Sequence, residues 1–307
     1  MKVAAQPPLV AVVILNWNGL QDTCECLVSL QKIDYADYKV VVVDNGSHNN
    51  EAKTLQTMFV GYADVIANGQ NLGYAGGVNI GIKYAMDKYS PDYYLLLNND
   101  TTVDPRFLSM LVAELEKDAT AGVAGPKVYY YDRRDVIQSI GAYVNMYSGE
   151  ASYPGLNEKD RGQYDMVRKV DWVGPCVLIK SAVIGTTGYF DEDYFAYWED
   201  VDFCARAGRD GFKTIYVPAS LIWHKLGGAV GGASPRMYYF MARNRIRFMQ
   251  KNAGKFQYAC FITYLTIYNI WAASAYLLLT GRKTQLKAFW RGLRDGFRRK
   301  TGDAPPL

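Results

Sequence analysis

The chain has 307 residues, of which 50% are hydrophobic, and its formal net charge is +4. A chain of this length and apolar content can bury one large hydrophobic core or two small ones, and we expect one main domain with a C-terminal appendage. Its five cysteines are odd in number and lack the paired spacing of a zinc site or a disulfide framework, so we expect a reducing cytoplasm. The first eight residues contain no secretory hydrophobic segment, so we expect the main domain to stay on the side where it is made.

The first hundred residues alternate strand-like and helix-like segments, which predicts an α/β fold with a mostly parallel sheet flanked by helices. Largely apolar runs predict strands at 9–15, 39–43, 64–67 and 93–97, and Asp22 and Thr23 open a helix that runs to about Lys32. Each strand ends in polar residues, at the edge where ligands bind in open α/β sheets. These polar ends are Asn16-Trp17-Asn18-Gly19, Asp44-Asn45-Gly46-Ser47, Asn68-Gly69 and Asn98-Asn99-Asp100.

Asn, Asp and Gly are ordinary turn residues, so any one of these ends could be only a turn. Four of them at the same edge predict a binding crevice. Asp44 at a strand end could accept a hydrogen bond from a nucleoside base or a ribose hydroxyl.

The segment from Asn71 to Asn79 is rich in glycine and leads into a helix, so its backbone could closely approach a phosphate or a sugar. It lacks both the Gly-x-Gly-x-x-Gly spacing of a dinucleotide site and the Lys-Ser/Thr of a P-loop. NAD and ATP are therefore not expected as ligands.

Asp100 offers a hard oxygen ligand, and Mg²⁺ or Mn²⁺ commonly takes one or two carboxylates together with substrate phosphate and water. His224 follows the strand-like residues 214–217 and 221–223 and precedes a glycine-rich stretch. A histidine in this position could be a partly buried structural residue or a ligand of metal or phosphate.

The segment Tyr197-Trp198-Glu199-Asp200-Val201-Asp202 places three carboxylates beside two aromatic rings. Asp200 could be a general base that activates a sugar hydroxyl, or only an acidic residue favoured at a helix N-terminus. Tyr197, Trp198 and Trp172 could stack on an acceptor or belong to the core.

Residues 256–279 carry no formal charge and are long enough to span a bilayer. The segment also contains several polar residues, and its two flanks are equally basic, so the positive-inside rule gives no orientation. An in-plane or re-entrant membrane helix, a transmembrane helix and a buried or oligomeric helix all remain open.

The C-terminal segment 281–300 contains eight basic residues and one acid, Asp295. Its apolar residues have helical spacing, which predicts a basic amphipathic helix. This helix could dock on the core or lie on an anionic membrane surface, and the pattern matches no nucleic-acid reader. The apolar residues are Leu286, Phe289, Trp290, Leu293 and Phe297, and the basic flanks are Lys283, Lys287, Arg291, Arg294 and Arg298.

Several segments taken together resemble a known family over nearly the whole chain. They are 13–19, 42–47, 71–79, 96–100, 188–192 and 198–202, with a further likeness at 291–297. Their order and spacing are similar to those of the inverting nucleotide-sugar glycosyltransferases of family two, and within it to a bacterial rhamnosyltransferase-like branch.

The resemblance implies the GT-A fold, a nucleotide-diphospho-sugar transferase architecture. It implies a catalytic domain at 1–252, in which about 1–125 bind the nucleotide sugar and about 126–252 bind the acceptor and carry the base. Residues 253–307 would then be membrane-associating helices.

By motif matching, Asp200 would be the catalytic base, with Glu199, Asp202 and Trp198 around it. Asp100 and His224 would hold Mg²⁺ or Mn²⁺. Asn98 stands where the family often has aspartate, and the loss of that charge would lower the affinity for the metal. Arg243, followed by Asn244, could offset the charge of the diphosphate. The residues expected to bind the donor are Asn16, Asn18, Asp44, Asn71, Gly73, Asn79, Asn98, Asn99 and Arg243.

The branch implies transfer of L-rhamnose from dTDP-β-L-rhamnose to a lipid-linked saccharide, as in the synthesis of O-antigen or another surface polysaccharide, at the cytoplasmic face of the membrane. A UDP-sugar donor is an alternative, because no residue visibly recognises the thymine methyl group. A sugar nucleotidyltransferase would need a glycine-rich loop bearing Arg and Lys, which the segment 16–19 lacks. A catalytically inactive membrane scaffold is the non-enzyme alternative, and a homodimer through the C-terminal helices is a possible assembly.

Overall fold

A computed structural model of the chain describes residues 6–225 and 234–306. The first part of the chain alternates strands and helices as predicted, with strand bounds within one residue of the predicted ones. The helix predicted from Asp22 begins two residues earlier. These elements are β1 (Val10–Asn16), α1 (Leu20–Leu30), β2 (Tyr38–Asp44), α2 (Glu51–Met58), β3 (Ala63–Ala67), α3 (Gly73–Tyr89) and β4 (Tyr93–Asn98).

The four strands of this part pair in parallel in the order β3, β2, β1, β4. The valine-rich runs of β1 and β2 are buried because helices cover both faces of the sheet. The parallel register brings Asn16 level with Asp44 and Leu15 level with Asn98. The carboxyl ends of these strands therefore lie side by side, as a shared crevice requires.

The central part of the chain extends the same sheet with six strands and adds three helices, while two short strands, 143–145 and 150–152, pair with each other in a separate sheet. Its pairing is mixed, because β11 (Cys176–Lys180) runs antiparallel to both β4 and β6 (Ala121–Tyr130). The parallel arrangement predicted from the first hundred residues thus holds for that half and gives way to mixed pairing beyond it. These elements are β5 (Thr101–Val103), α4 (Phe107–Lys117), β6 (Ala121–Tyr130), β7 (Ile137–Ser139), β8 (Tyr143–Asn145), β9 (Glu150–Ser152), β10 (Arg168–Val170), β11 (Cys176–Lys180), α5 (Ser181–Thr187), α6 (Glu199–Arg209) and β12 (Lys213–His224).

The full order of the main sheet is β10, β12, β6, β11, β4, β1, β2, β3, with β5 and β7 paired at its side. The two strand-like segments predicted around 214–223 are one strand, β12, whose register shifts between Val217 and Leu221. The end of β12 pairs with β5, so His224 lies opposite Thr101. This pairing brings a residue from late in the chain to the end of β4.

The C-terminal part is helical and packs on the sheet domain through a third hydrophobic cluster. The uncharged segment forms one long helix from Lys255 to Leu279, with a π-helical turn at Leu265–Asn269. By length and composition it is the one helix in the described ranges that could cross a membrane. The elements are α7 (Pro235–Asn252), α8 (Lys255–Tyr264), α9 (Ile270–Leu279) and α10 (Lys283–Phe297).

Candidate active site

Asn16 and Asp44 form a buried polar pair at the ends of β1 and β2. The Asn16 side-chain amide donates to Asp44 Oδ1 over 2.7 Å, and Thr23 Oγ donates to Asn16 Oδ1 over 2.7 Å. Asn16 is fully buried and Asp44 nearly so. The amide of Asn16 therefore orients the Asp44 carboxylate, and Asp44 is the less buried member of the pair.

The loop after β1 is held by residues that the sequence analysis did not single out. Glu51 Oε2 accepts from the Asn16 amide over 2.9 Å, and Ser47 Oγ accepts from the backbone N–H of Asn18 over 2.8 Å. The exposed Asn18 side chain in turn accepts from the backbone N–H of His48 over 2.9 Å. Ser47 follows Asp44 in the same polar turn, which was the available signal for its role.

The glycine-rich segment approaches protein rather than leaving its backbone open to a phosphate or sugar. Gly73 has φ +74°, and a Cβ atom there would lie 2.3 Å from the carbonyl oxygen of Phe195. That carbonyl accepts from the backbone N–H of Tyr74 over 2.6 Å, at the N-terminus of α3. The expected donor contact at Gly73 is therefore replaced by a contact between the two halves of the domain.

Asn71 and Asn79 are likewise committed to internal hydrogen bonds. The Asn79 amide donates to the backbone carbonyl of Phe190 and to Glu192, and its oxygen accepts from the N–H of Phe190, with all three distances between 2.9 and 3.0 Å. Asn79 is 1% exposed, which contradicts a direct donor contact. Asn71 is half-buried and accepts from Asn45 and from the backbone of Gly73.

Asp100 and His224 meet at the end of the sheet. His224 Nε2 lies 3.1 Å from Asp100 Oδ1, and His224 Nδ1 lies 2.6 Å from Gln138 Oε1. Gln138, which the sequence analysis missed, fixes the ring so that Nε2 points to the carboxylate. The two residues predicted as metal ligands are thus side by side.

Asp100 and His224 could bind a divalent cation only if the substrate supplied further ligands. No group of three His, Cys, Asp or Glu side chains that could hold a metal occurs within 6–225 and 234–306. Mg²⁺ and Mn²⁺ can accept one or two protein ligands when phosphate and water complete the shell. Asn99 donates to Thr23 Oγ over 2.9 Å and so faces α1, whereas the Asn98 side chain is half-buried beside Asp100.

Asp200 lies in the first turn of α6, opposite Gly174. A Cβ atom on Gly174 would lie 3.5 Å from Asp200 Oδ2 and 3.4 Å from the ring of Trp172. Asp200 Oδ1 accepts from the backbone N–H of Val201 over 2.8 Å. Burial raises the pKa of Asp200 to about 6, which leaves it ionised at neutral pH yet basic enough to take a proton.

Glu199 and two indoles surround Asp200 with buried polar atoms. Glu199 is 6% exposed, and its pKa is raised well above the usual range by burial and then by the charge of Asp200. Among the described residues, no partner exists for Glu199 Oε2, Trp172 Nε1 or Trp198 Nε1. Trp172 is half-buried against Tyr153, with ring centroids 6.0 Å apart, so it fits the predicted acceptor wall better than Trp198, which packs in the core on Phe248.

Asp202 points away from Asp200 into the protein. It is fully buried and pairs with Arg206 and Lys251, each over 2.8 Å, and it also accepts from Asn252 over 2.9 Å. The expectation that Asp202 shapes the environment of the base directly is therefore wrong, because its carboxylate ties α6 to α7.

Arg243 and Asn244 are also buried and cannot reach a diphosphate. Arg243 is 0% exposed and donates to the carbonyls of Tyr194 and Gly302 over 2.7 and 2.6 Å. The Asn244 amide donates to the carbonyls of Tyr194, Ala196 and Tyr197 over 2.8 to 2.9 Å. The donor role expected for Arg243 is thus contradicted, and the pair instead supports the loop that leads into Asp200.

That loop has an unusual backbone. Phe195, Tyr197 and Trp198 all have positive φ, between 65° and 75°, a region that residues other than glycine rarely adopt. The bonds from Asn244 hold this conformation and deliver Asp200 at the helix start.

Tyr74 connects the two halves of the site. Its pKa is raised mainly by burial, and further by the charges of Glu199, Asp200 and Asp100. The charges of the predicted base, Asp200, and of the predicted metal ligand, Asp100, therefore both act on the Tyr74 hydroxyl.

Comparisons with known proteins agree with the fold described above. A family model described as Glycosyl transferase family 2 matches residues 11–186. The structure is similar to that of a mannosyltransferase of Pyrobaculum calidifontis solved with GDP-Man and Mn²⁺, with a TM-score of 0.60 and 16% identity over 95% of this chain and 88% of the other. A likeness at this identity concerns the fold alone, and it confirms the GT-A fold predicted from the sequence.

Two relatives are more similar in sequence. A low-salt glycan biosynthesis hexosyltransferase, Agl10 of Haloferax volcanii, is 25% identical over 66% of this chain. The match spans 62% of that relative, less than two thirds of its length. An N-acetylglucosaminyl-diphospho-decaprenol L-rhamnosyltransferase of Mycobacterium tuberculosis is 28% identical over 67% of this chain and 72% of its own length.

Proposed function

Because the chain belongs to glycosyl transferase family 2 and is a glycosyltransferase, we propose that it transfers L-rhamnose from dTDP-β-L-rhamnose to a hydroxyl of a lipid-linked saccharide, with inversion. The observation that carries the proposed mechanism is the position of the Asp200 carboxylate, which lies opposite Gly174 in the first turn of α6.

In this mechanism Asp200 accepts the proton of the acceptor hydroxyl while the hydroxyl oxygen attacks the anomeric carbon. The bond from that carbon to the diphosphate oxygen breaks on the opposite face, and the nucleoside diphosphate leaves with the electron pair. One displacement inverts the configuration. Burial supports this role, because it raises the pKa of Asp200 to about 6 and so strengthens the carboxylate as a base.

Asp100 and His224 would hold a divalent cation, Mg²⁺ or Mn²⁺, at the end of β4. When bound, the cation would offset the negative charge of the departing diphosphate. The 3.1 Å separation of the two side chains and the anchoring of His224 by Gln138 support this assignment. Asp44, held by Asn16, would contact the nucleoside.

The rhamnose donor and the lipid-linked acceptor are proposed from the relatives. The mycobacterial relative is named as a rhamnosyltransferase that acts on a decaprenyl-linked sugar. O-antigen or a similar surface polysaccharide is then the expected product, and the cytoplasmic face of the membrane is the expected location.

The base assignment is tested with Asp200→Asn. Turnover should fall by about 100-fold or more, the usual contribution of a general base, whereas the donor dissociation constant should stay within about twofold. Asp210→Asn is the matched control, because Asp210 is an exposed carboxylate just beyond the same helix. Unchanged turnover in Asp200→Asn would refute the assignment.

The donor is identified by thermal-shift titration of the wild-type protein with dTDP-rhamnose and with UDP-sugars, each with Mg²⁺ and with chelator. Selective stabilisation by dTDP-rhamnose supports the proposal. Selective stabilisation by a UDP-sugar would keep the mechanism and replace the donor, and no response to any donor would favour an inactive scaffold.

A further inference from the structure

Because Arg243 is buried, the diphosphate of the donor lacks the positively charged side chain that the sequence predicted for it. Lys225 lies next to His224, but its ammonium already contacts Asp22 and Glu25 over 2.8 and 2.6 Å. A diphosphate carries at least two negative charges, and arginine matches phosphate oxygens with two parallel hydrogen bonds. A partly exposed arginine at the donor edge of the sheet would meet this need.

Arg236 is such a residue. It lies in the first turn of α7, and its guanidinium is 5.8 Å from the ring centroid of Trp17. Trp17 directly follows Asn16 at the carboxyl end of β1, beside the buried Asn16–Asp44 pair. The guanidinium therefore stands at the same edge as the predicted nucleoside contact.

Two further rings hold the guanidinium in place. Its carbon lies 5.4 Å from the ring centroid of Phe195 and 5.7 Å from that of Phe240. Phe195 also supplies the carbonyl that caps the N-terminus of α3. The side chain of Arg236 is 33% exposed, so it is positioned by aromatic rings and still open to a ligand.

The ion-pair partner of Arg236 in the described chain is Asp303, in the C-terminal segment after α10. This segment is docked beside the same rings, because Ala304 packs against the cluster that contains Phe195 and Phe240. The Asp303 carboxylate is about half exposed, at 49%. An ion pair this exposed contributes little stability, so a doubly charged ligand can displace it.

We propose that Arg236 binds the diphosphate of the nucleotide-sugar donor and that Asp303 is the carboxylate it releases on donor binding. The inference rests on the proposed function and adds a phosphate-binding residue and an exchangeable counter-ion to it. The C-terminal segment thereby senses whether the donor site is filled.

The experiment compares nucleotide binding by calorimetry in the full-length wild-type protein and in Arg236→Gln, Arg236→Lys and Asp303→Asn. The probes are thymidine and uridine diphosphate, the matching nucleosides without phosphate, and inorganic pyrophosphate, all with Mg²⁺. Arg106→Gln is the control, because Arg106 is an exposed arginine paired with a carboxylate, Asp104, just before α4. Melting temperatures establish that each variant is folded.

Arg236→Gln should weaken nucleoside diphosphate binding about tenfold or more and leave nucleoside binding within about twofold. Arg236→Lys should keep part of the affinity, because the charge remains without the fork of donors. Asp303→Asn should tighten nucleoside diphosphate binding, because the competing carboxylate is gone. Arg106→Gln should change neither affinity.

Equal diphosphate affinity in Arg236→Gln and wild type would overturn the proposal. Weaker binding in Asp303→Asn would overturn the exchange, since Asp303 would then only position Arg236. An effect of Arg236→Gln on inorganic pyrophosphate binding with none on nucleoside diphosphate binding would place Arg236 at a phosphate site outside the donor site and overturn the donor role. If wild type binds no nucleoside diphosphate, the proposed function fails instead, which separates the two ideas.

Discussion

The ionisation of Asp200 should make both turnover and the free energy of unfolding depend on pH. Because the proposed base must be ionised to accept a proton, kcat should rise with pH through about 6 and level off above it, and a pH profile of turnover measures this directly. The rise should be absent from the residual activity of Asp200→Asn. A flat wild-type profile between pH 5 and 8 would contradict the assignment.

The free energy of unfolding should change with pH in the opposite direction to kcat. The folded-state pKa of Asp200 is raised from 3.8 to about 6, so the folded protein holds a proton that the unfolded chain has lost. The free energy of unfolding contributed by this group therefore falls as pH rises between these values. From pH 4 to pH 8, the free energy of unfolding of the wild type should fall by about 1–3 kcal/mol relative to that of Asp200→Asn. Urea unfolding of both proteins at the two pH values measures this.

Asn244 should position the proposed base, Asp200, through the loop that precedes it, and should not contact the donor. Its amide bonds to three carbonyls of the loop that precedes Asp200, so Asn244→Ala frees a backbone with several positive φ angles. We expect kcat to fall about tenfold or more, with donor affinity unchanged and stability lowered by about 2 kcal/mol. Gln250→Ala on the same helix is the control, and a lower melting temperature with unchanged kcat would show a purely structural role.

At the scale of the elements, the contact between α3 and the base loop depends on one glycine. In Gly73→Ala a Cβ atom would lie 2.3 Å from the carbonyl oxygen of Phe195, at φ +74°. Gly61→Ala is a matched control, because Gly61 has φ +76° and no heavy atom within 4 Å.

The difference between the two variants isolates the close contact from the backbone strain that both share. We expect a loss of about 1 kcal/mol for Gly61→Ala and about 3 kcal/mol for Gly73→Ala in chemical unfolding. Turnover should fall only in Gly73→Ala. Equal losses would show that the approach of Phe195 is not tight.

The same elements show how far the sequence could be interpreted. Apolar runs and polar strand ends are local signals. The first strands, their parallel pairing and the position of Asp44 at the carboxyl edge of the sheet were therefore predictable. The roles of Asn79, Asp202 and Arg243 were not, because each is held by at least one partner that lies 49 or more positions away in sequence. The residue Phe190 that binds Asn79, for example, is 111 positions from it. Residue type indicates that a side chain forms hydrogen bonds, and only the tertiary fold determines with which group.

At the scale of the whole molecule, the C-terminal helices expose one apolar and basic face. On the helix 255–279 the exposed residues include Phe256 at 74%, Ile267 at 72%, Trp271 at 61% and Leu279 at 87%. The opposite side of this helix packs on the domain through Phe261, Leu265 and Leu277, which supports an in-plane helix more than a spanning one. On α10 the exposed residues include Lys283, Lys287, Trp290, Arg294 and Phe297.

We expect this face to bind anionic vesicles. Replacing Lys283, Lys287 and Arg294 with Gln should lower partition onto phosphatidylglycerol-containing vesicles by about 100-fold, at about 1 kcal/mol per charge, and leave weak binding to phosphatidylcholine unchanged. Co-sedimentation measures both, with a triple variant of Lys39, Lys53 and Lys169 as control. A stable dimer in solution without vesicle binding would instead assign the face to a second copy of the chain.

The helix α7 connects this exposed face to the proposed active site. α7 carries Asn244, which holds the loop before Asp200, and α10 packs along the same α7. With α10 resting on lipid headgroups, the base would stand at a fixed height above them. Only an acceptor whose hydroxyl projects to that height could be glycosylated, so the number of sugars already on the lipid would select the substrate as strictly as their chemistry does.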